Sequence, residues 1–177
     1  MLTIILLLVA VIIAIILIVA FFGKDKYTVE REVTINKPKK DVFNYIKLLK
    51  NQNNYSKWVM MDPNAKMTYT GTDGTVGFTS AWDSVNKNVG KGEQTIAKLA
   101  DGERMDLDIH FIRPFEGRST AYMATETVSG NQTKVRWGFN GDLKYPMRVM
   151  RLFWNMEKMI GDDLGTGLSN LKGVLEK

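Results

Sequence analysis

The chain has 177 residues and a formal net charge of +5, with one His and no Cys. These counts exclude disulfides, thiol nucleophiles, thiolate metal sites and a zinc site built from several histidines. The apolar residues are unevenly distributed, since every position up to Phe22 except Thr3 is apolar and all charged residues follow Phe22. The sequence therefore predicts an apolar leader followed by one domain of ordinary composition, large enough to bury a core.

The leader, residues 1–22, predicts a helix that crosses a membrane once. It contains no charge and no helix breaker, and at a rise of about 1.5 Å per residue it would span a hydrocarbon core of about 30 Å. A cleaved signal peptide is the alternative, but it requires a basic start, a shorter apolar core and a small-x-small cleavage site. We therefore predict an anchor over residues 1–23 and a ligand-binding domain over residues 24–177. The Lys and Arg residues that follow the anchor favour the cytoplasmic side for that domain.

The start of the domain changes from strand to helix. Apolar and polar residues alternate from Tyr27 to Ile35, which predicts a half-buried strand that ends at Pro38. The spacing of Val42, Phe43, Ile46 and Leu49 then predicts an amphipathic helix. A short helix is expected over residues 53–58.

The middle of the chain predicts an antiparallel meander. Short loops rich in Gly, Asn and Asp separate segments of strand character, and hairpins of this kind form antiparallel sheets. The predicted strands cover residues 66–71, 76–84, 90–99, 103–113, 119–128 and 133–143.

The last segment predicts a long helix over residues 146–176 that lies across the sheet. Pro146 suits a first helical position. One face carries an apolar stripe, namely Met150, Phe153, Met156, Ile160, Leu164, Leu168, Leu171 and Leu175. Gly161, Gly165 and Gly167 interrupt this helix, and either close packing against a strand or a gap where a ligand enters would explain them.

Two motifs resemble a known family. Residues 35–46, INKPKKDVFNYI, are similar to the I-x-x-P-x-x-x-V-[FW]-x-x-I opening of the SRPBCC superfamily, which includes the START-like, Bet v 1-like and polyketide cyclase/dehydrase proteins. Residues 133–137, TKVRW, resemble the T-x-V-x-W of the last strand. The chain looks most like the membrane-anchored bacterial members. The resemblance implies an α+β helix-grip fold, in which a curved antiparallel sheet of about seven strands wraps around a long C-terminal helix.

The same resemblance implies a cavity between the sheet and the C-terminal helix. Strand parity and the helical stripe predict its lining, which consists of Phe78, Trp82, Gln94, Ile96, Leu107, Ile109, Phe111, Trp137, Phe139, Met150, Phe153, Met156 and Ile160. Two apolar loops would flank its mouth with Trp58, Met60, Met61 and Phe115. A filled core made of these same side chains remains the alternative.

No sequence motif defines a reaction, and we predict no catalytic residue, metal or cofactor. His110 shares the polar side of its strand with Asp106 and Asp108, so it is expected on the outer surface; a general base held by a carboxylate is the alternative. We predict binding of an apolar or amphipathic small molecule, such as a lipid, a quinone or a polyketide-like compound. Membrane lipid is the second expected partner, and nucleic acid is not expected. A cyclase/dehydrase-like enzyme and a protein-interaction module with a filled core are the alternatives.

Overall fold

The computed structural model describes residues 1–22, 26–142, 149 and 155–177. Four α-helices and seven strands make up the described chain, together with a 3₁₀ helix over Leu49–Asn54. The helices are α1 (Leu2–Phe22), α2 (Lys39–Ile46), α3 (Lys57–Met60) and α4 (Met156–Leu175). The strands are β1 (Lys26–Ile35), β2 (Lys66–Thr70), β3 (Thr79–Asp83), β4 (Lys91–Ala100), β5 (Arg104–Arg113), β6 (Gly117–Ser129) and β7 (Gln132–Asp142).

The apolar leader forms helix α1, but the prediction of a membrane anchor is contradicted. That prediction counted the whole apolar run of residues 1–22. Among the residues that the structure describes, no helix has both the length and the hydropathy that a bilayer crossing requires. This finding overturns the predicted localisation as a single-pass membrane protein with a cytoplasmic domain.

The seven strands form one antiparallel sheet in the order β1-β7-β6-β5-β4-β3-β2. The predicted meander is confirmed, and β1 joins it beside β7 over ten residue pairs, from Lys26↔Asp142 to Ile35↔Thr133. Register shifts interrupt the β4–β5 ladder at Lys91/Gly92 and again at Ile96/Lys98. Because bulges bend and twist a strand, these irregularities help the sheet to curve around α4.

The predicted third strand begins later than expected. We predicted it from residue 76, whereas β3 starts at Thr79. Gly71, Gly74 and Gly77 all adopt positive φ, a conformation that glycine takes without steric cost. The chain therefore turns several times before Phe78, whose carbonyl accepts from the backbone N–H of Ile96, and the regular β3–β4 pairing begins at Thr79.

Helix α4 packs its apolar face on β1 and β7. Its described part starts where the Asn155 side chain accepts a hydrogen bond from the backbone N–H of Lys158 at 2.9 Å, which is an N-cap. The side chains of Leu164, Leu168 and Leu171 on this face of α4 are fully buried, as the apolar stripe in the sequence predicted. The predicted start at Pro146, together with Met150 and Phe153, lies outside the described residues.

Close packing explains one of the three glycines in the middle of α4. A Cβ on Gly167 would lie 2.7 Å from Cζ3 of Trp137, and a Cβ on Gly161 would collide with the Arg31 guanidinium. A Cβ on Gly165 would meet no described atom within 4 Å. Packing on the sheet, rather than a break in the helix, therefore accounts for Gly167, whereas the Arg31 guanidinium is the end of a flexible side chain that could move away from a Cβ at position 161.

Tyr55 closes the core between α4 and the sheet. It is fully buried, its ring lies 5.8 Å from that of Trp137 in an edge-on arrangement, and its hydroxyl donates to the sulfur of Met123 at 3.5 Å. Burial, with a smaller contribution from Tyr45, raises the pKa of Tyr55 far above its usual value of 10.0. The folded protein therefore keeps this hydroxyl neutral in alkaline solution.

Replacing Tyr55 with Phe should flatten the alkaline limb of the stability profile. A folded pKa above the unfolded one means that the stabilisation is complete below about pH 10 and is lost as the pH rises beyond that, by about 1.4 kcal/mol per pH unit. Near pH 8 the substitution should change the free energy of unfolding by less than about 1 kcal/mol, because a thioether is a weak acceptor. Urea unfolding of both proteins between pH 8 and pH 11 measures this, and parallel profiles would contradict the assignment.

Candidate functional site

A cavity of about 740 Å³ lies between the inner face of the sheet and α4. Apolar and aromatic side chains from several strands form most of its wall, and Ile160 contributes from α4. Among the residues predicted from the sequence, Trp82, Gln94, Leu107, Ile109, Phe111, Trp137, Phe139 and Ile160 line it.

Two small side chains in the middle of the wall make the space. Along one row of neighbours across the sheet, Leu107 pairs with Ala121, which in turn pairs with Phe139. In the adjacent row, Gln94 pairs with Ile109, and Ile109 pairs with Ser119. Because Ala121 stands between two larger residues on the inner face and Ser119 stands beside one, the sheet leaves a hollow there that α4 does not fill.

Some predicted lining residues lie elsewhere. Phe78 and Ile96 point to the inner face but belong to the solid core, where they are 1% and 0% exposed, and the Phe78 ring stacks on Tyr69 at 6.1 Å. Met156 is half-buried at the first position of α4 and is not part of the described wall. Met150 and Phe153 are outside the described residues.

Two of the four residues predicted at the mouth of the cavity line it, and the other two do not. Trp58 lines the cavity and meets Trp137 edge-on, with 5.8 Å between ring centroids. Phe115 lines it too and is 62% exposed, so it marks the solvent edge. Met60 and Met61 are exposed but are not part of the described wall.

Sequence reasoning predicted Gln94 in the wall but missed its partner Gln52 and the charged lining residues. Gln94 donates from Nε2 to Oε1 of Gln52 at 2.7 Å, and Gln52, in the 3₁₀ helix, is only 3% exposed. Nε2 of Gln52 is buried and has no hydrogen-bond partner. The charged lining residues Glu116, Arg118 and Asp142 are exposed and lie at strand ends or in a loop. Among the described residues, the deep part of the cavity therefore carries amides rather than charges.

Several further lining residues have no distinctive sequence signal, because their position depends on the curvature of the sheet. They are Tyr27, Val59, Ala65, Met67, Val89 and Gly117.

The candidate acid–base groups lie on the opposite face of the sheet. The His110 ring nitrogens lie 3.6 Å from a Glu93 carboxylate oxygen and 3.3 Å from one of Glu116, and His110 is not part of the described cavity wall. Tyr122, also on the outer face, donates to the Glu30 carboxylate, while burial, helped by this bond, raises the pKa of Tyr122. Across residues 1–22, 26–142, 149 and 155–177, no three His, Asp or Glu side chains are grouped to hold a metal ion.

Known proteins resemble this chain at the level of the fold. No family model matches the sequence, and no curated protein matches it. Solved structures do match: a Thermobifida fusca protein determined by NMR (18% identity, TM-score 0.60, covering 84% of this chain and 95% of that one), and the Aha1 dimer from Colwellia psychrerythraea (16%, 0.57, 85% and 96%). Ara h 8.0201 matches with 14% identity and a TM-score of 0.55 over 85% and 97% of the two chains.

These likenesses show the fold. The chain shares with them an α+β architecture in which a seven-stranded antiparallel sheet packs on a C-terminal helix, and this arrangement fits the predicted helix-grip fold.

Proposed function

We propose that this domain binds an apolar or amphipathic small molecule in the cavity between the sheet and α4. The observation that carries the proposal is the cavity itself. Its volume of about 740 Å³ falls within the range of about 300–1,000 Å³ that is typical of small-molecule sites. Its wall is largely aromatic and aliphatic, with a few polar groups, which is the usual composition of such sites.

The same cavity favours binding over the two alternative functions. An interaction module with a filled core would not leave a hollow beside Ala121 and Ser119. An enzyme of the cyclase/dehydrase kind requires an acid or base held inside the cavity, whereas the lining carboxylates of Glu116 and Asp142 are exposed and His110 is not part of the described wall. Ligand binding without chemistry is therefore the function that the geometry supports best.

Replacing Ala121 with Phe should block binding while the fold survives. The added ring would enter the hollow, so the free energy of unfolding should fall by less than about 1 kcal/mol, whereas overpacking a filled core costs about 1–3 kcal/mol. Titration with N-phenyl-1-naphthylamine, a neutral probe that fluoresces in apolar sites, measures binding. We expect at least tenfold weaker binding by the variant.

Ala124→Phe is the matched control. Ala124 is on the same strand but on the outer face, opposite Arg104 and Arg136, so the same substitution should leave probe binding unchanged. Equal binding by wild type and both variants would refute the cavity as the binding site, as would a loss of stability in Ala121→Phe without a loss of binding.

A further inference from the structure

We infer that the cavity selects ligands that carry a neutral hydrogen-bond donor, a hydroxyl or an N–H group, on an apolar body, and that the Gln94 amide oxygen receives this donor. The inference rests on the proposed function and specifies the chemistry of the ligand at the same site. It follows from the Gln52–Gln94 pair in the cavity wall.

The pair fixes the orientation of the Gln94 amide. Nε2 of Gln94 donates a hydrogen bond to Oε1 of Gln52 at 2.7 Å. Oε1 of Gln94 is therefore the polar atom of this amide that can bind a ligand. Gln94 is half-buried and lines the cavity, and its amide oxygen accepts no hydrogen bond from any described residue. This oxygen is accessible from the cavity rather than buried, so a ligand that covers it must supply a donor or leave the acceptor unpaired, which is unfavourable.

Among the described residues, the Gln52 side chain makes no hydrogen bond other than this one. It is 3% exposed, and its own Nε2 has no partner, although a buried donor without a partner costs stability. An apolar residue of similar size would remove that cost. The retained amide is explained if it serves to hold Gln94 in the orientation that presents oxygen, rather than nitrogen, to the ligand.

The absence of charge nearby restricts the donor to a neutral group. The charged lining residues Glu116, Arg118 and Asp142 are all exposed, and the neighbours of Gln94 across the sheet are Ser80 and Ile109. The free energy needed to bury a charged group beside these residues would far exceed the stabilisation from one hydrogen bond to the amide oxygen. Alcohols, phenols and amides with an apolar body fit, whereas carboxylates and ammonium ions do not.

Three compounds of nearly identical shape test the inference. 9-Fluorenol carries a hydroxyl donor, 9-fluorenone only an acceptor, and fluorene neither, and each is measured by displacement of N-phenyl-1-naphthylamine from the wild-type protein. We expect 9-fluorenol to bind about tenfold more tightly than fluorene, the effect of one hydrogen bond in a dry site, and 9-fluorenone to bind no more tightly than fluorene. A preference for 9-fluorenone would overturn the inference.

Variants assign the effect to the pair. Gln94→Met should reduce the ratio of 9-fluorenol to fluorene affinity to about one. Gln52→Met should keep a preference for both oxygen-bearing compounds over fluorene but lose the discrimination between them, because the Gln94 amide could then rotate. Melting temperatures identify any variant that fails to fold, and the wild-type ranking stands as a test without the variants.

Thr95→Val is the matched control, because Thr95 is a neutral polar residue next to Gln94 on β4 but is not part of the described cavity wall, and its hydroxyl pairs with that of Thr79 at 2.9 Å. It should leave the affinity ratio unchanged, and loss of the ratio in this variant alone would overturn the assignment to Gln94. Equal binding of the three compounds would overturn the inference and leave the proposed function standing. Failure of all of them, and of the fluorescent probe, to bind would overturn the proposed function itself.

Discussion

Ending the chain at residue 154, so that α4 is removed, is expected to abolish cooperative unfolding. Leu164, Leu168 and Leu171 are fully buried between α4 and the sheet, and burial of each side chain contributes about 1.5–3 kcal/mol. Their sum is comparable to the whole stability of a domain, about 5–15 kcal/mol. Thermal and urea unfolding, followed by far-ultraviolet circular dichroism, measure the effect.

Single substitutions on α4 provide the matched comparison. Leu168→Ala should lower the free energy of unfolding by about 2–5 kcal/mol, whereas Ser169→Ala, at the neighbouring exposed position, should change it by less than about 0.5 kcal/mol. A shortened chain that still unfolds in one sharp transition would show that the sheet is stable without the helix it encloses.

Replacing Trp137 with Ala should be the most damaging single substitution in the cavity wall, with a loss of about 3–5 kcal/mol. Trp137 is 4% exposed, meets Tyr55 and Trp58 edge-on, and lies against Gly167 of α4. It therefore joins the 3₁₀ region, α3, α4 and the sheet. Urea unfolding followed by circular dichroism gives the loss without depending on the removed fluorophore.

Trp82→Ala is the appropriate comparison for that result. Trp82 also lines the cavity but is half-buried, with its indole N–H donating to the Val89 carbonyl at 3.2 Å. Its removal should cost less than half as much as removal of Trp137. Equal losses would mean that Trp137 does not hold the elements together in the way its contacts indicate.

Local pattern predicted the six-strand antiparallel meander because side chains alternate faces along a strand. Met105 and Leu107 are buried and Asp108 is exposed, as period two requires, since a slip of one residue would reverse every side chain in the strand. Short loops connect successive strands, and strands joined in this way pair antiparallel, which predicts a meander.

Parity predicted which face a side chain occupies but not how deep it lies. Phe78 and Trp82 share the inner face, yet Phe78 belongs to the solid core and Trp82 to the cavity wall. The difference depends on where the sheet bends and on small residues such as Ala121 and Ser119, which carry no hydrophobic signal. Gln52 was missed because its partner Gln94 is distant in sequence, and only the tertiary fold brings the two amides together.

The leader shows the limit of an argument from composition. The apolar run of residues 1–22 was correctly predicted to be helical, and α1 extends over Leu2–Phe22. The membrane crossing inferred from the same run was overturned, because the described residues contain no helix that meets the requirement.

Nuclear Overhauser contacts between a bound probe and the methyl groups of the protein test the central claim most directly. With N-phenyl-1-naphthylamine at saturation and methyl-labelled Leu, Ile and Val, we expect contacts to the methyl groups of Leu107, Ile109 and Ile160, which line the cavity. Contacts confined to exposed methyl groups, such as those of Val85 and Val128, which are 99% and 51% exposed, would contradict it.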